Sequence, residues 1–315
     1  KAKQESIDTI LEMARYKRDG CLQRLVVTGC LAQRYSQEIM EELPEVDAVI
    51  GLDQLHTIDA VVAQKERVET SLKADGSVAY LYDHLVPKIQ STPAHYAYVK
   101  ISEGCDYPCT FCIIPKIRGT YRSRTSDSIL AEVESLAQSG VKEICLIAQD
   151  TTRYGGEQGQ RNGLASLLRR LANVSGIEWI RFLYAYPTTL DNEVLEAIAS
   201  EPSLCRYVDI PLQHASDKVL KAMKRPGTAE SNMNLIRKIR ECVPDVSIRS
   251  SFIVGFPGET DADFESLMNF CKEAELDHLG VFTYSNEEDT EAFVPFETVS
   301  EEEKEFRKRV LMEAQ

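Results

Sequence analysis

Apolar residues recur along the chain in two rhythms, and the change between them divides it. Ile7, Ile10, Leu11 and Ala14 fall at helical spacing and predict a helix over residues 3–16. The pattern then predicts a strand at 24–28, a helix at 33–42, a short strand at 48–50 and a helix at 54–64. Residues 66–93 break the rhythm. They are polar and rich in turn signals, Asp75-Gly76 among them, and read as a connection between domains.

From residue 96 the alternation is regular. Strands are expected at 96–101, 143–148, 179–184, 207–211, 246–254 and 278–284. Helices are expected between them at 126–138, 164–172, 192–199, 230–241 and 261–273. Such alternation implies parallel strands joined by right-handed crossovers. Six strands are too few for a closed eight-stranded barrel. The expected fold is therefore α/β: a partial (β/α)6 barrel over 94–298, preceded by a smaller α/β domain over 1–65 and the connection at 66–93. By the barrel rule, active groups belong on loops at the C-terminal ends of the strands. The first helix has no start Met or N-cap run before it, and a charged helix beginning near residue 299 runs off the end at 315. Both ends read as cuts in a longer protein.

Composition narrows the picture. Of 315 residues, 43% are hydrophobic, enough for a sizeable core. No run of about 18 apolar residues appears, so no membrane span is expected. The first 18 residues lack the apolar centre of a signal peptide, which makes a cytoplasmic location the default. A net charge of −14 gives no general pull toward phosphate backbones. DNA is not an expected partner, and RNA is not the obvious one.

The chain has nine cysteines, an odd number, which disfavours a disulfide framework. Cys145, Cys205, Cys242 and Cys271 stand singly and read as ordinary packing. Cys105, Cys109 and Cys112 form the one tight group, within Glu103-Gly104-Cys105-Asp106-Tyr107-Pro108-Cys109-Thr110-Phe111-Cys112. The group follows the first strand of the expected barrel. Three thiolates suit three corners of a [4Fe–4S] cubane and leave one iron free to chelate a small molecule. The rival is zinc, which wants four ligands, usually in two pairs. No second pair exists; His95 is ten residues upstream and Cys145 is on another strand.

This CxxxCxxC loop, with an aromatic directly before the last cysteine, resembles the radical S-adenosylmethionine (SAM) superfamily. Further segments resemble its methylthiotransferases: Thr28-Gly29-Cys30-Leu31-Ala32-Gln33-Arg34, Arg118-Gly119 with Ser123-Arg124, and Ile253-Val254-Gly255-Phe256-Pro257-Gly258-Glu259-Thr260. Ala148-Gln149-Asp150-Thr151-Thr152-Arg153-Tyr154-Gly155 and Arg249-Ser250-Ser251-Phe252 resemble the RimO-type branch. Tyr284-Ser285 with Glu287-Glu288 and Thr290 points the same way. That branch acts on an aspartate of small-subunit ribosomal protein twelve. The other main branch acts on a transfer-RNA adenosine, and is the alternative. A non-catalytic iron–sulfur electron-transfer or scaffold protein is the alternative from another class.

The resemblance implies that the open iron binds the amino and carboxylate groups of SAM, and that an electron from the cluster cleaves it to a 5′-deoxyadenosyl radical. It implies replacement of a C–H bond at the aspartate β-carbon by C–SCH₃, one SAM giving the methyl group and a second the radical. It also implies a second [4Fe–4S] cluster in the full-length protein, for which only Cys30 matches here. Its other two ligands would precede Lys1, and Cys21 is out of register. A C-terminal TRAM domain, a small β-barrel, would follow the last helix. The implied partners are the ribosomal protein, free or on the ribosome, and an external donor of the flavodoxin or ferredoxin type. The acidic charge agrees with a basic protein substrate.

Other residues carry weaker signals. Phe111 would lie along adenine. Gln149 ends a strand and can bond SAM or substrate, or simply cap a loop. Gln213 ends the fourth strand and would contact ribose, whereas its neighbour His214 is assigned no role. Arg249 and Ser251 lie within the fifth strand. A charge there needs a partner, either the SAM carboxylate or an acidic side chain. Gly255 belongs to a turn that lets adenine approach closely. Gly155-Gly156-Glu157 tempts as the superfamily's SAM-amine motif but falls past the strand end and reads as a loop. Arg118, Arg122 and Arg124 line the substrate entrance or form a solvated face. No catalytic acid, base or nucleophile is identified.

Overall fold

The computed structural model of the chain describes residues 2–64, 66–69, 79–296 and 298–315. The expected turn at Asp75-Gly76 lies outside them. Contacts gather the chain into two compact units. One runs through Leu81 and includes Ile114–Thr120; the other comprises Tyr82–Ile113 and Tyr121–Gln315.

The first unit opens with α1 (Ala2–Arg18), which buries Ile10 and Ala14 as its spacing predicts. A parallel sheet of β1 (Val26–Thr28), β2 (Ala48–Ile50) and β3 (Val68–Glu69) follows, in that order. The helix expected at 33–42 is two helices, α2 (Cys30–Arg34) and α3 (Ser36–Glu42). Tyr35 breaks them with φ −129° and ψ 36°, and its ring is covered by the Lys3 ammonium at 3.9 Å. The stretch expected as one helix at 54–64 is a 3-10 turn at Leu52–Thr57 followed by α4 (Ile58–Ala63). A short helix, α5 (Ile114–Arg118), also belongs here; nothing in its apolar spacing announced it.

The second unit holds the six expected strands: β4 (Tyr96–Lys100), β7 (Glu143–Ile147), β8 (Trp179–Phe182), β9 (Tyr207–Asp209), β10 (Ser247–Val254) and β11 (His278–Thr283). A two-stranded ladder, β5 (Ser102–Glu103) with β6 (Arg122–Ser123), lies between the first two in sequence. The six strands pair in parallel as β4-β7-β8 and β9-β10-β11. Between the triplets, an isolated bridge pairs Ile180 of β8 with Leu204, just before β9, and Ala185 N–H donates to the Asp209 carbonyl at 2.8 Å. The row is open, as its strand count requires. Crossover helices α6 (Ser126–Gln138), α7 (Gly163–Ala172), α8 (Asn192–Ser200), α9 (Asp217–Ala222), α10 (Ala229–Cys242) and α11 (Asp261–Ala274) complete it. Of these, α9 was not foreseen. Side chains alternate across each strand, so Ile248, Phe252 and Val254 enter the core while Arg249, Ser251 and Ile253 share the other face of β10. The last helix, α12 (Glu301–Glu313), packs on β10 and β11 and buries Lys304, Arg307 and Leu311.

The segment expected to be a free connection is partly structural. Residues 82–93 belong to the second unit, and the Tyr82 hydroxyl accepts the Lys100 backbone N–H at 2.9 Å. Among the described residues, no helix is long and apolar enough to cross a membrane.

Candidate active site

The cysteine loop leaves β5 at Gly104, whose φ of 81° is the left-handed conformation that glycine adopts freely. Cys105, Cys109 and Cys112 are all half-buried. Burial pushes the Cys105 thiol up to about 11, opposed by the Tyr107 backbone bond and aided by the nearby Cys112, Cys109 and Asp150. The loop is pinned at several points. Thr110 N–H donates to the Met223 carbonyl at 3.1 Å and its hydroxyl to Ala222 O at 2.9 Å. The Tyr107 ring stacks on Tyr186 with centroids 3.7 Å apart and planes 4° from parallel. Its hydroxyl donates to Asp150 Oδ2 at 2.9 Å. Asp106 accepts Tyr121 N–H at 2.9 Å and pairs with Arg153 at 2.7 Å.

The ends of neighbouring strands meet this loop. Burial raises the Asp150 pKa, opposed by bonds from Thr152 and Tyr107. Beside it, Gln149 has a buried amide oxygen with no hydrogen-bond partner. An orphaned acceptor at the end of a barrel strand suits a donor brought by a ligand, such as an ammonium group. Gln213 holds φ at 74°, uncommon for a non-glycine residue, yet bonds as a strand residue: its N–H donates to Ser251 O and its carbonyl accepts Ile253 N–H. Such strain belongs to residues whose exact placement is used. Phe111 packs with Phe256 and Tyr284, so the aromatic before Cys112 meets the turn after β10.

That turn is closely built. Gly255 has φ 76°, and a Cβ there would lie 2.3 Å from Lys304 Cγ. Only glycine fits. Glu259 Oε2 accepts both Gly255 N–H at 2.7 Å and Phe256 N–H at 3.1 Å, and Oε1 accepts Arg307 Nη1 at 2.7 Å.

Arg249 has an acidic partner. Its Nη1 bonds Asp209 Oδ1 at 2.7 Å, and Asp209 is fully buried. It stands near the N-terminal end of β10 and lines a cavity of about 810 Å³ with Tyr98, Cys145, Arg181, Tyr207 and His278. Of the two partners considered for Arg249, the structure supplies the carboxylate side chain, because register sets Arg249 beside Asp209 on β9. The cysteine loop, Gln149, Gln213 and Gly255 lie instead at the opposite ends of their strands. Ser251 sits between the two levels, against Gly280.

The arginines after the loop separate. Arg124 is neither an entrance nor a solvated residue: it is buried and bonds Glu132 at 2.6 Å, Lys100 O at 2.7 Å and Ser128 Oγ at 2.9 Å. Arg122 pairs across the β5–β6 ladder opposite Glu103. Within the first unit, Arg118 Nη2 lies 3.2 Å from the sulfur of Cys30, the first residue of α2. Gly155 is left-handed and Gly156–Gln158 form a 3-10 turn, with Glu157 bonded to Ser123, where the sequence led one to expect a plain loop. His214 is buried, and its Nδ1 accepts Ser216 N–H at 2.9 Å.

Among the described residues, no group of three or more His, Cys, Asp or Glu is gathered for a single metal ion. A tetrahedral zinc would hold its sulfurs about 3.8 Å apart. A cubane spreads its thiolates over separate corners and asks for wider spacing. Three cysteines within eight residues of one loop supply soft thiolate ligands for three corners of such a cluster.

The family model for the radical SAM superfamily matches residues 99–271, and that for the uncharacterised protein family UPF0004 matches residues 1–51. The chain belongs to the radical SAM superfamily. The ribosomal protein uS12 methylthiotransferase RimO of Desulfitobacterium hafniense is 46% identical over 314 residues, covering 100% of this chain and 71% of that protein. The protein of the same name from Pelobacter propionicus is 48% identical over 314 residues, covering 100% and 70%. Within the superfamily, the chain belongs to the RimO family of methylthiotransferases. Solved structures share the fold. The cobalamin-dependent radical SAM enzyme OxsB aligns at a TM-score of 0.60 with 15% identity, covering 99% of this chain and 45% of that one. Coproporphyrinogen III oxidase (HemN) of Escherichia coli aligns at 0.50 with 19% identity, covering 70% and 52%.

The sequence reading missed Tyr186, Arg225 and the Glu259–Arg307 pair. Tyr186 and Arg225 stand outside every quoted motif. Glu259 was inside one, but its partner is 48 residues away.

Proposed function

We propose that this chain methylthiolates the β-carbon of an aspartate in ribosomal protein uS12, using a [4Fe–4S] cluster held by Cys105, Cys109 and Cys112 and two equivalents of SAM. The observation that carries this reading is the half-buried trio of thiols on a pinned loop, set among strand ends with an orphaned amide acceptor at Gln149. Bound there, the cluster supplies the electron that cleaves SAM to a carbon radical. The chain's own residues then bind and orient. Gln149 accepts from the SAM amine. Gln213 and the Gly255 turn bound the nucleoside, with Phe111 along the adenine. Ser251, on β10 nearer its N-terminal end and against Gly280, would border the bound substrate. Arg249, neutralised by Asp209, is not assigned to the SAM carboxylate. Cys30 is proposed as one ligand of a second cluster in the whole protein. The reaction takes place in the cytoplasm with an external low-potential donor.

The two family-model matches, residues 1–51 and 99–271, fall within the ranges 1–65 and 94–298 proposed from the sequence. Names of relatives support uS12 as substrate, and the local Gln149-Asp150-Thr151 and Arg249-Ser250-Ser251 segments agree with them.

Anaerobic reconstitution followed by dithionite and SAM tests the radical step. 5′-Deoxyadenosine should form, and serine at any of the three loop cysteines should abolish it. Mass spectrometry of uS12 and of bulk transfer RNA from a strain lacking the gene tests the substrate. An intact uS12 mark with a lost transfer-RNA modification would reverse the assignment.

A further inference from the structure

Arg225 follows α9 and belongs to none of the motifs quoted above. Its residue is nearly buried, yet it forms no ion pair with a carboxylate among the described residues. Three groups hold it instead. Nη2 donates to the Pro211 carbonyl at 2.7 Å. The guanidinium lies over the Tyr186 ring, 4.3 Å from its centroid. Nη1 points at Cys109 Sγ, 3.8 Å away. Tyr186 in turn stacks on Tyr107, which sits between Cys105 and Cys109 in the loop. A buried cation without an anion is costly. The nearest candidate anion is the Cys109 sulfur once it is a thiolate ligand.

We propose that Arg225 is a redox-tuning residue: it donates a charge-assisted hydrogen bond to the Cys109 thiolate and raises the reduction potential of the cluster. The proposal rests on the reading that this loop holds a [4Fe–4S] cluster. Reduction adds one electron, supplied by the external donor, and breaks no bond. The added negative charge is stabilised by a fixed cation beside one ligand, so the reduced state gains more than the oxidised state. Net charge and hydrogen bonds to sulfur are among the levers that set cluster potentials. Tyr186 and Pro211 keep the guanidinium in place in both states, so little reorganisation accompanies the electron.

The test is an EPR-monitored redox titration of anaerobically reconstituted protein. Arg225→Met should lower the reduced-to-oxidised ratio at fixed potential by tenfold or more, a midpoint shift of about 59 mV or more toward negative values. Arg225→Lys keeps the charge and should recover part of the shift. An unchanged midpoint in Arg225→Met, at equal iron and sulfide content, overturns the proposal. A second measurement needs no variant. In wild-type protein carrying ¹⁵N-arginine, ENDOR of the reduced cluster should show a guanidinium nitrogen coupling, and its absence overturns the proposal equally. A wild-type protein with no cluster signal at all would sink the functional reading and this one together. A normal signal with an unmoved midpoint sinks only the tuning.

Discussion

Replacing Arg307 by methionine tests how the turn after β10 is held. Glu259 is buried, and burial alone would raise its pKa; the His214 ring, Arg307 and the Phe256 N–H instead hold it below the ordinary 4.5. Removing one partner of a buried pair costs about 3–5 kcal/mol, because the other charge is left uncompensated. Here Glu259 keeps two backbone donors, so the expected cost is near the lower end, about 3 kcal/mol. The remaining Arg307 partners, Asp261 and Glu303, are exposed and add little. Urea unfolding followed by far-UV circular dichroism and by Trp179, the sole tryptophan, measures this directly. The midpoint should fall at an unchanged slope. The pH dependence has a fixed sign. A carboxylate with a depressed folded pKa stabilises fully above its unfolded value and loses that contribution as pH falls through the folded value. The gap between wild type and Arg307→Met should therefore shrink on acidification, because the Glu259 carboxyl of the variant, buried without its cation, takes up a proton at a higher pH than that of the wild type. A cost under about 1 kcal/mol, or a gap that widens on acidification, would refute the reasoning.

Three further outcomes are expected. Gly255→Ala meets both a left-handed backbone, about 1–2 kcal/mol, and the Lys304 stem; it should weaken SAM binding in equilibrium dialysis as well as stability. Tyr107→Phe removes a donor to the buried Asp150 carboxylate and should cost about 1.5–3 kcal/mol, most at pH values where Asp150 is ionised; equal stability in thermal melts at neutral pH would count against it. Burial pushes the Cys271 thiol up to about 12 and, with Glu143, Cys145 up to about 11. Mass-mapped alkylation of cluster-free protein at neutral pH should label the exposed Cys21 first and those two last.

Much of the architecture could be read from periodicity. The six barrel strands lie where their apolar runs placed them, because short runs rich in apolar residues mark them even where one face, as in β4, β8 and β11, stays partly exposed. The helices that were missed, α5 and α9, are five and six residues long, too short for an apolar face to repeat. Tyr35 split a helix that looked continuous, since a cap geometry leaves no periodic trace. The loop cysteines were legible because their spacing is local. Arg225 was not: it reaches Cys109 across 116 positions, and in the sequence it is one basic residue of a Lys-Arg-Pro-Gly turn. Arg249 was recognised as a charge needing a partner, but strand register, not sequence, chose Asp209.

The stretch from Tyr82 to Thr92 has a consequence for how the molecule behaves in a crowd. An unclosed sheet ends in a rim of backbone donors and acceptors, an invitation to a second copy to add its own strand. On β4 that rim is occupied at both ends: the Tyr82 hydroxyl takes both polar groups of Lys100, and Gln90 and Thr92 take the carbonyl of Tyr96. Side chains from a neighbouring loop thus act as a selvedge that keeps the fabric from being extended.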